Sequence, residues 1–393
     1  MATNSPLNER HARADAFVRQ YGPPDIELPL VETFGAIELE YGAVRKGAAL
    51  LDQPHRGTIE ITGDDRHAFL NNMVTQEIVG IDELSYREAF WLSRKGRIVA
   101  DLRLLELGDR LLVDLDAHAV APTIETLSAY VIMEDVAIRD ATNDHHRLAL
   151  HGTTAASIID ARRDDDGPPA VGLEPGRALR ATIAGQNVIV ERRDLTGGPG
   201  FELTVPTAAA VDIYERFAPR DADDDRPDVR PTGWLAVNTA RIEAGEPIMF
   251  LDFGSDTLPA ECGQRMLHQR VNFKKGCYLG QEVVARMHSL GGPKQILVAL
   301  RPIGEPPRDA QGHALQPLGG ANLFPESDDT APIGGVTSST ISPMLGGTPI
   351  AFAMLRTKHA RDGAEVMVVA EGTPMKCSVS LDLAFYGETA RRT

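Results

Sequence analysis

Between Gln295 and Ser380 the apolar residues come only in short runs: Gln295 to Leu300, Gly335 to Ser339, Ile350 to Leu355, Ala364 to Val369 and Lys376 to Ser380. Gly and Pro cut these runs apart, and none is long enough to carry a helical period. Short strands spaced by turn residues specify a small antiparallel barrel or sandwich. The pattern starts just past Gly291-Gly292-Pro293, so a separate all-β unit is predicted over residues 294–393.

Upstream the chain alternates between the two periods. Thr58-Ile59-Glu60-Ile61-Thr62 reads as a strand, and Gly63-Asp64-Asp65 then supplies a turn and a helix N-cap for the run Arg66 to Val74. Ile98 to Leu107 and Arg110 to Leu115 are apolar runs split by Gly108-Asp109, a hairpin turn. Val120 to Tyr130 and Thr207 to Phe217 read as helices, while Val188 to Val190 and Phe201 to Val205 read as strands. Hairpins beside helices point to an α+β core rather than a doubly wound parallel sheet. At 393 residues the chain exceeds one ordinary hydrophobic core. The predicted division is a polar lead-in over 1–40, a core over 41–293 and the β unit. Two acidic, proline-containing blocks, from Ala161 and from Pro219, read as solvated loops.

Charge excludes some functions. Lys and Arg number 40 against 56 Asp and Glu, a net charge of −16, which argues against a nucleic-acid partner. Any anionic ligand has to meet a local basic patch. Three cysteines, Cys262, Cys277 and Cys377, make no disulfide framework, and no His/Cys cluster has metal-ligand spacing. The N-terminal residues carry no apolar signal region, and no apolar window spans a bilayer. A cytoplasmic protein without membrane contact is expected.

The densest chemistry lies in Asn272-Phe-Lys-Lys-Gly-Cys-Tyr-Leu-Gly-Gln-Glu-Val-Val-Ala-Arg286. Lys274, Lys275 and Arg286 place cations near one thiol, and Gln281 opens a helix whose free N–H groups add positive potential. Nucleophile or ligand is one reading of Cys277; a small buried cysteine in a Gly-bounded turn is the other.

Lys275 to Glu282 resembles the K-G-C-[FY]-x-G-Q-E signature of the YgfZ family. That family is a branch of the folate-binding superfamily of the glycine cleavage T-protein (aminomethyltransferase). Three further segments are similar to superfamily landmarks, in the same order: Gly63 to Thr75, Arg241 to Pro247, and Gly335 to Pro343. The resemblance implies a three-part folate-binding ring followed by a C-terminal antiparallel β-barrel. It implies tetrahydrofolate, or a one-carbon derivative, as cofactor, and a role in assembly or repair of iron–sulfur cluster enzymes. The implied partners are folate and iron–sulfur client or assembly proteins.

The resemblance also assigns residues. Glu202, in Gly200-Phe201-Glu202, takes the pterin-binding place, where a carboxylate accepts two adjacent N–H donors; read alone it is a solvated strand-edge acid. Arg241, on the helical run Trp234 to Ala244, joins the folate pocket or forms an ion pair with Glu202 or Glu243. Tyr278, Gln281 and Arg286 complete the cofactor-binding set. Cys277 acts as thiol, tuned by Lys275. Arg94, Lys95 and Arg97 are a basic hairpin tip or a second contact for an anionic tail, and Phe90-Trp91 beside them read as core.

Asp101 separates the branches. Gly96-Arg97-Ile98-Val99-Ala100-Asp101-Leu102 matches the aminomethyltransferase segment G-G-[VI]-[IL]-D-D-L with one acid replaced by Ala100. The alternative function is therefore a folate-dependent aminomethyltransferase or demethylase with Asp101 as general acid/base. A folate-binding scaffold is the third reading. His145-His146 is expected in a polar loop, and Asp252, Asp256 and Glu261 on the surface.

Overall fold

A computed structural model describes residues 5–23, 27–219, 228–326 and 331–386. Most of the acidic block from Pro219 lies outside the described residues. The chain divides into two compact units, Met1–Trp91 with Ala100–Val237, and Leu92–Val99 with Asn238–Thr393. The helix Trp234–Ala244 contributes to both.

The first unit is α+β. A five-stranded sheet runs in the order Tyr86–Leu92, Ile98–Glu106, Leu111–Asp116, Arg56–Thr62, Ala137–Asp140. A six-stranded sheet runs Ala178–Ile183, Gln186–Arg192, Gly200–Pro206, His145–His151, Ala49–Asp52, Arg230–Pro231. Period-two sorting makes its strands Gly200–Pro206 and His145–His151 amphipathic although both of their faces are buried. Phe201, Leu203 and Val205, with Leu148 and Leu150, face an apolar cluster that also holds Ile159, Ile213, Tyr214 and Phe217. The alternate positions, Glu202, Thr204, Arg147 and His151, occupy the opposite face.

Residues before 41 join this core. The helix Asn8–Arg13 follows Leu7, which is fully buried in the same apolar cluster. Asp52 accepts hydrogen bonds from Ser5 Oγ (2.6 Å), His11 Nε2 (2.9 Å) and His146 Nε2 (2.6 Å). Burial alone raises the Asp52 pKa, but the two histidines outweigh it and hold the carboxyl far below its ordinary range. His146 thus belongs to a strand, not to the polar loop expected from the His145-His146 pair. Composition suggested a lead-in because the anchoring groups are polar, and polar groups enter a core only when paired.

Asp65 stands at the predicted N-cap of the helix Arg66–Met73 without capping it. Its carboxylate accepts the Asp135 N–H instead (2.8 Å), while Asp135 accepts the Asp64 N–H (3.1 Å).

The second unit carries a closed barrel, in the order Gln295–Pro302, Thr348–Arg356, Gly334–Ser342, Asn322–Pro325, Glu365–Ala370, Thr373–Ser380. Asn322–Pro325 is the strand that periodicity did not register, because its four residues include a proline. Val298, Leu300, Ala353, Leu355, Val366, Val368 and Val379 fill the barrel with Cys377, whose thiol burial pushes up to about 12. Ile242 packs with Leu297, Phe352 and Phe385 in a second cluster of the same unit.

Candidate functional site

In the first unit the polar face of the six-stranded sheet meets charged residues of the five-stranded one. Arg56 makes a bidentate pair with Asp114 (3.0 and 2.6 Å). Arg103 reaches Asp114 (2.9 Å) and Glu191 (3.1 Å), and Arg147 donates to Glu191 (2.9 Å). All but Arg56 are at most 3% exposed. Buried arginines of this kind need carboxylates around them, and the carboxylates in turn stay ionised. Asp114 is held well below the carboxylate range: burial opposes this, but Arg103, Arg56 and Arg147 outweigh it.

Glu202 belongs to the same interior. It lies on Gly200–Pro206, flanked by two strands, and is 1% exposed, so the solvated-edge reading does not hold. Burial pushes its pKa up; the charges of Arg103 and Arg193 more than reverse this, keeping Glu202 a carboxylate. Arg193 Nη1 stands 3.4 Å from Glu202 Oε1.

Asp101 lies on Ile98–Glu106, half-buried. Ala100 beside it is fully buried. Strand alternation therefore turns position 100 into the apolar side and puts Asp101 on the same side as Arg103. An acid at 100 would be desolvated, whereas an acid at 101 shares the face that carries the ionic cluster.

In the second unit Arg241 is fully buried and completely engaged. Its Nη1 pairs with Asp252 and donates to the Glu246 carbonyl (3.2 Å); Nε donates to Asn238 Oδ1 (2.9 Å) and Nη2 to Ser338 Oγ (2.8 Å). The partner is Asp252, not Glu202 or Glu243 as expected. Asp252 also accepts from Thr337 Oγ1 (3.0 Å) and the Ile248 N–H (2.9 Å). A register shift between Val336 and Ser338 leaves Thr337 as an extra residue in the ladder. Such a bulge re-aims side chains, and here two consecutive hydroxyls serve one ion pair. Asp252 and Glu261 are buried, contrary to the expected surface position, while Asp256 is exposed. Glu261 caps the short helix Pro259–Cys262 by accepting the Leu258 N–H (2.8 Å).

The cysteine segment is a turn leading into the helix Gln281–Leu290. Asn272 Oδ1 accepts the N–H groups of Lys274 (2.8 Å) and Lys275 (3.1 Å). Lys275 is buried, with Nζ 5.4 Å from the Tyr278 ring centroid. Tyr278 is buried too, and burial pushes its hydroxyl up to about 12. Cys277 is exposed, as are Lys274 and Arg286, and Gln281 is half-buried. Gly280 has φ +80°, and a Cβ there would stand 2.7 Å from the Ser93 carbonyl oxygen. A Cβ on Gly96 would stand 2.7 Å from Val283. The two basic segments of the sequence therefore meet glycine to glycine, placing the 93–97 hairpin tip on the first turn of the helix.

Sequence reasoning singled out Glu202 and Asp101 and missed Arg103, Arg147, Glu191 and His151 around them. The available signal was the alternation in His145-His-Arg-Leu-Ala-Leu-His151, where charged and apolar residues trade places in a strand. Among the described residues, no group of His, Cys, Asp or Glu is arranged to hold a metal ion. Among them too, no helix is long and apolar enough to cross a membrane.

The family model described as the GCVT N-terminal domain matches residues 7–275, and the glycine cleavage T-protein C-terminal barrel domain matches residues 308–386. The aminomethyltransferase of Caldanaerobacter subterraneus is 27% identical over 365 residues, covering 91% of this chain and 90% of that protein. The mitochondrial aminomethyltransferase of Dictyostelium discoideum is 27% identical, covering 90% and 86%. That of Cutibacterium acnes is 29% identical, covering 88% and 89%. The crystal structure of glycine cleavage system aminomethyltransferase T from Bartonella henselae superposes with a TM-score of 0.82 at 23% identity, covering 98% of this chain and 99% of that one. That likeness establishes a shared fold.

Proposed function

This chain belongs to the family of the GCVT N-terminal domain with its T-protein barrel, and from that premise we propose that it is a folate-dependent transferase of one-carbon groups, of the aminomethyltransferase type. The carrying observation is Glu202: a carboxylate 1% exposed, kept ionised by Arg103 and Arg193, on a sheet face of polar groups. A buried carboxylate in that state suits the paired N–H donors of a pterin edge, which give it charge-assisted bonds that water cannot compete for. The names of the relatives point the same way.

Bound tetrahydrofolate would supply the amine nitrogens that take up a one-carbon unit. The chain's own part is to hold the pterin at Glu202 and to exchange a proton at the Asp101 carboxylate, which shares a strand face with Arg103. Arg241 supports this through structure: it locks the helix Trp234–Ala244 to the Asp252 loop and the barrel bulge, within the second unit. Calorimetric titration with tetrahydrofolate tests the reading. Saturable one-to-one binding is expected, with Glu202→Gln weakening it roughly 100-fold by removing a charged acceptor. Absence of binding to the native chain would defeat the proposal.

One observation favours a second reading, the iron–sulfur role of the YgfZ branch: Cys277 is exposed on a turn built by Asn272 and Gly280. Cys277→Ser is expected to leave folate binding and one-carbon transfer within about twofold, because an exposed thiol-to-hydroxyl change disturbs little packing. A selective loss of cluster-enzyme activity in cells carrying C277S would instead move the function to the thiol.

A further inference from the structure

His151 is a buried residue of the first unit whose polar atoms the fold leaves unexplained. It ends the strand His145–His151, opposite Gly200, and is fully buried. Neither ring nitrogen has a hydrogen-bond partner among the described residues. Native interiors pair such groups with protein, water or ligand, because a buried donor or acceptor without a partner is costly. Burial pushes the His151 pKa down, against the charge of Glu202, so the ring is neutral, with one N–H to give and one lone pair to receive.

Its neighbours point to a ligand. In the ladder, Gly200 pairs with His151 and Glu202 with Ala149, so the imidazole and the Glu202 carboxylate are diagonal neighbours on one sheet face. A Cβ on Gly200 would lie 2.6 Å from His151 Nδ1 and 2.3 Å from the Arg193 carbonyl oxygen. Glycine at that place is what gives the ring its room. A pterin edge presents the 2-amino group, the N3–H and the 4-oxo oxygen in sequence: two donors, then an acceptor. Glu202 can take the donors; being acceptor-only, it can do nothing for the oxygen.

We infer that His151 is a specificity-determining residue that donates an N–H hydrogen bond to the 4-oxo oxygen of a pterin held at Glu202. This rests on the folate reading above and adds to it the recognition of the oxo form of the ring. A site that hydrogen-bonds a ligand oxygen discriminates strongly against arrangements leaving its own polar group unpaired.

The test uses the full chain and tetrahydrofolate carrying ¹³C at C4. Affinity is measured by calorimetry and the C4=O stretch by isotope-edited infrared difference spectroscopy, for the native chain, His151→Phe and His151→Gln. H151F is expected to weaken binding roughly 10- to 100-fold, the effect of one lost buried hydrogen bond, and to move the carbonyl band to higher frequency. H151Q, which retains a donor, is expected to bind within about threefold of native with the band unshifted. If H151F weakens binding but leaves the band in place, His151 acts through packing, and the inference fails. If neither variant changes affinity or band, ordered water satisfies the ring, and the inference fails as well. Should H151F not fold, His151→Leu takes its place, with the same expected weakening and band shift, and the same two outcomes overturn the inference. A native chain that binds no tetrahydrofolate would defeat the folate reading itself, a separable outcome.

Discussion

Asp252→Asn is expected to cost about 3–5 kcal/mol of stability, measured as the change in urea unfolding free energy with an unchanged denaturant slope. Arg241 and Asp252 have no side-chain exposure at all. Two charges withdrawn from water are tolerable only while they compensate each other, and removing one leaves the other buried and unpaired. The asparagine amide also presents a donor where the carboxylate accepted from Ile248 N–H and Thr337 Oγ1. A melting-temperature fall of roughly 10 °C should accompany it. The double variant Arg241→Met, Asp252→Leu should recover much of the loss, because it removes both charges and retains apolar volume. A single-variant cost under about 1 kcal/mol would contradict the buried-pair account.

Asp101→Asn is expected to lower one-carbon transfer roughly 10²- to 10⁴-fold, the range for a positioned general acid/base, while tetrahydrofolate affinity changes less than about threefold. Asparagine is nearly isosteric and retains an acceptor, so the strand Ile98–Glu106 and its neighbours keep their packing. Only the exchangeable proton is lost. The separation between rate and affinity is the diagnostic: activity within tenfold of native would remove Asp101 from the chemistry. Ala100 sharpens the expectation. With alanine at position 100 no acid adjoins Asp101, and the strand's other acid, Glu106, is held by Arg66 and His67.

Much of the architecture was legible because it follows from local chemistry. Alternation marked Phe201 to Val205 and Ile98 to Leu107 as strands, Gly108 supplied the positive φ for their kind of turn, and Gly/Pro punctuation marked the barrel. The helix under Arg241 was legible from the recurrence of Trp234, Val237 and Arg241, as was the need for a buried partner. The partner itself was not: Asp252 is brought to Arg241 by the turn after Pro247, and the hydroxyls by a bulge in a distant strand. Glu202 illustrates the same limit. Its place in a strand is local information, but its burial depends on Gln186–Arg192 and His145–His151 lying on either side of it.

By itself, then, the order of residues determined which segments become strand, helix or turn, and which of them carry the family's landmarks. Periodicity and turn preference act over a few neighbouring positions. Only the tertiary structure decided which charges are withdrawn from water and with whom they pair: Arg103 with Asp114 and Glu191, Arg241 with Asp252, His146 with Asp52. Desolvation is a property of strand order and layer packing, set by contacts far apart in the chain, and no local pattern encodes it.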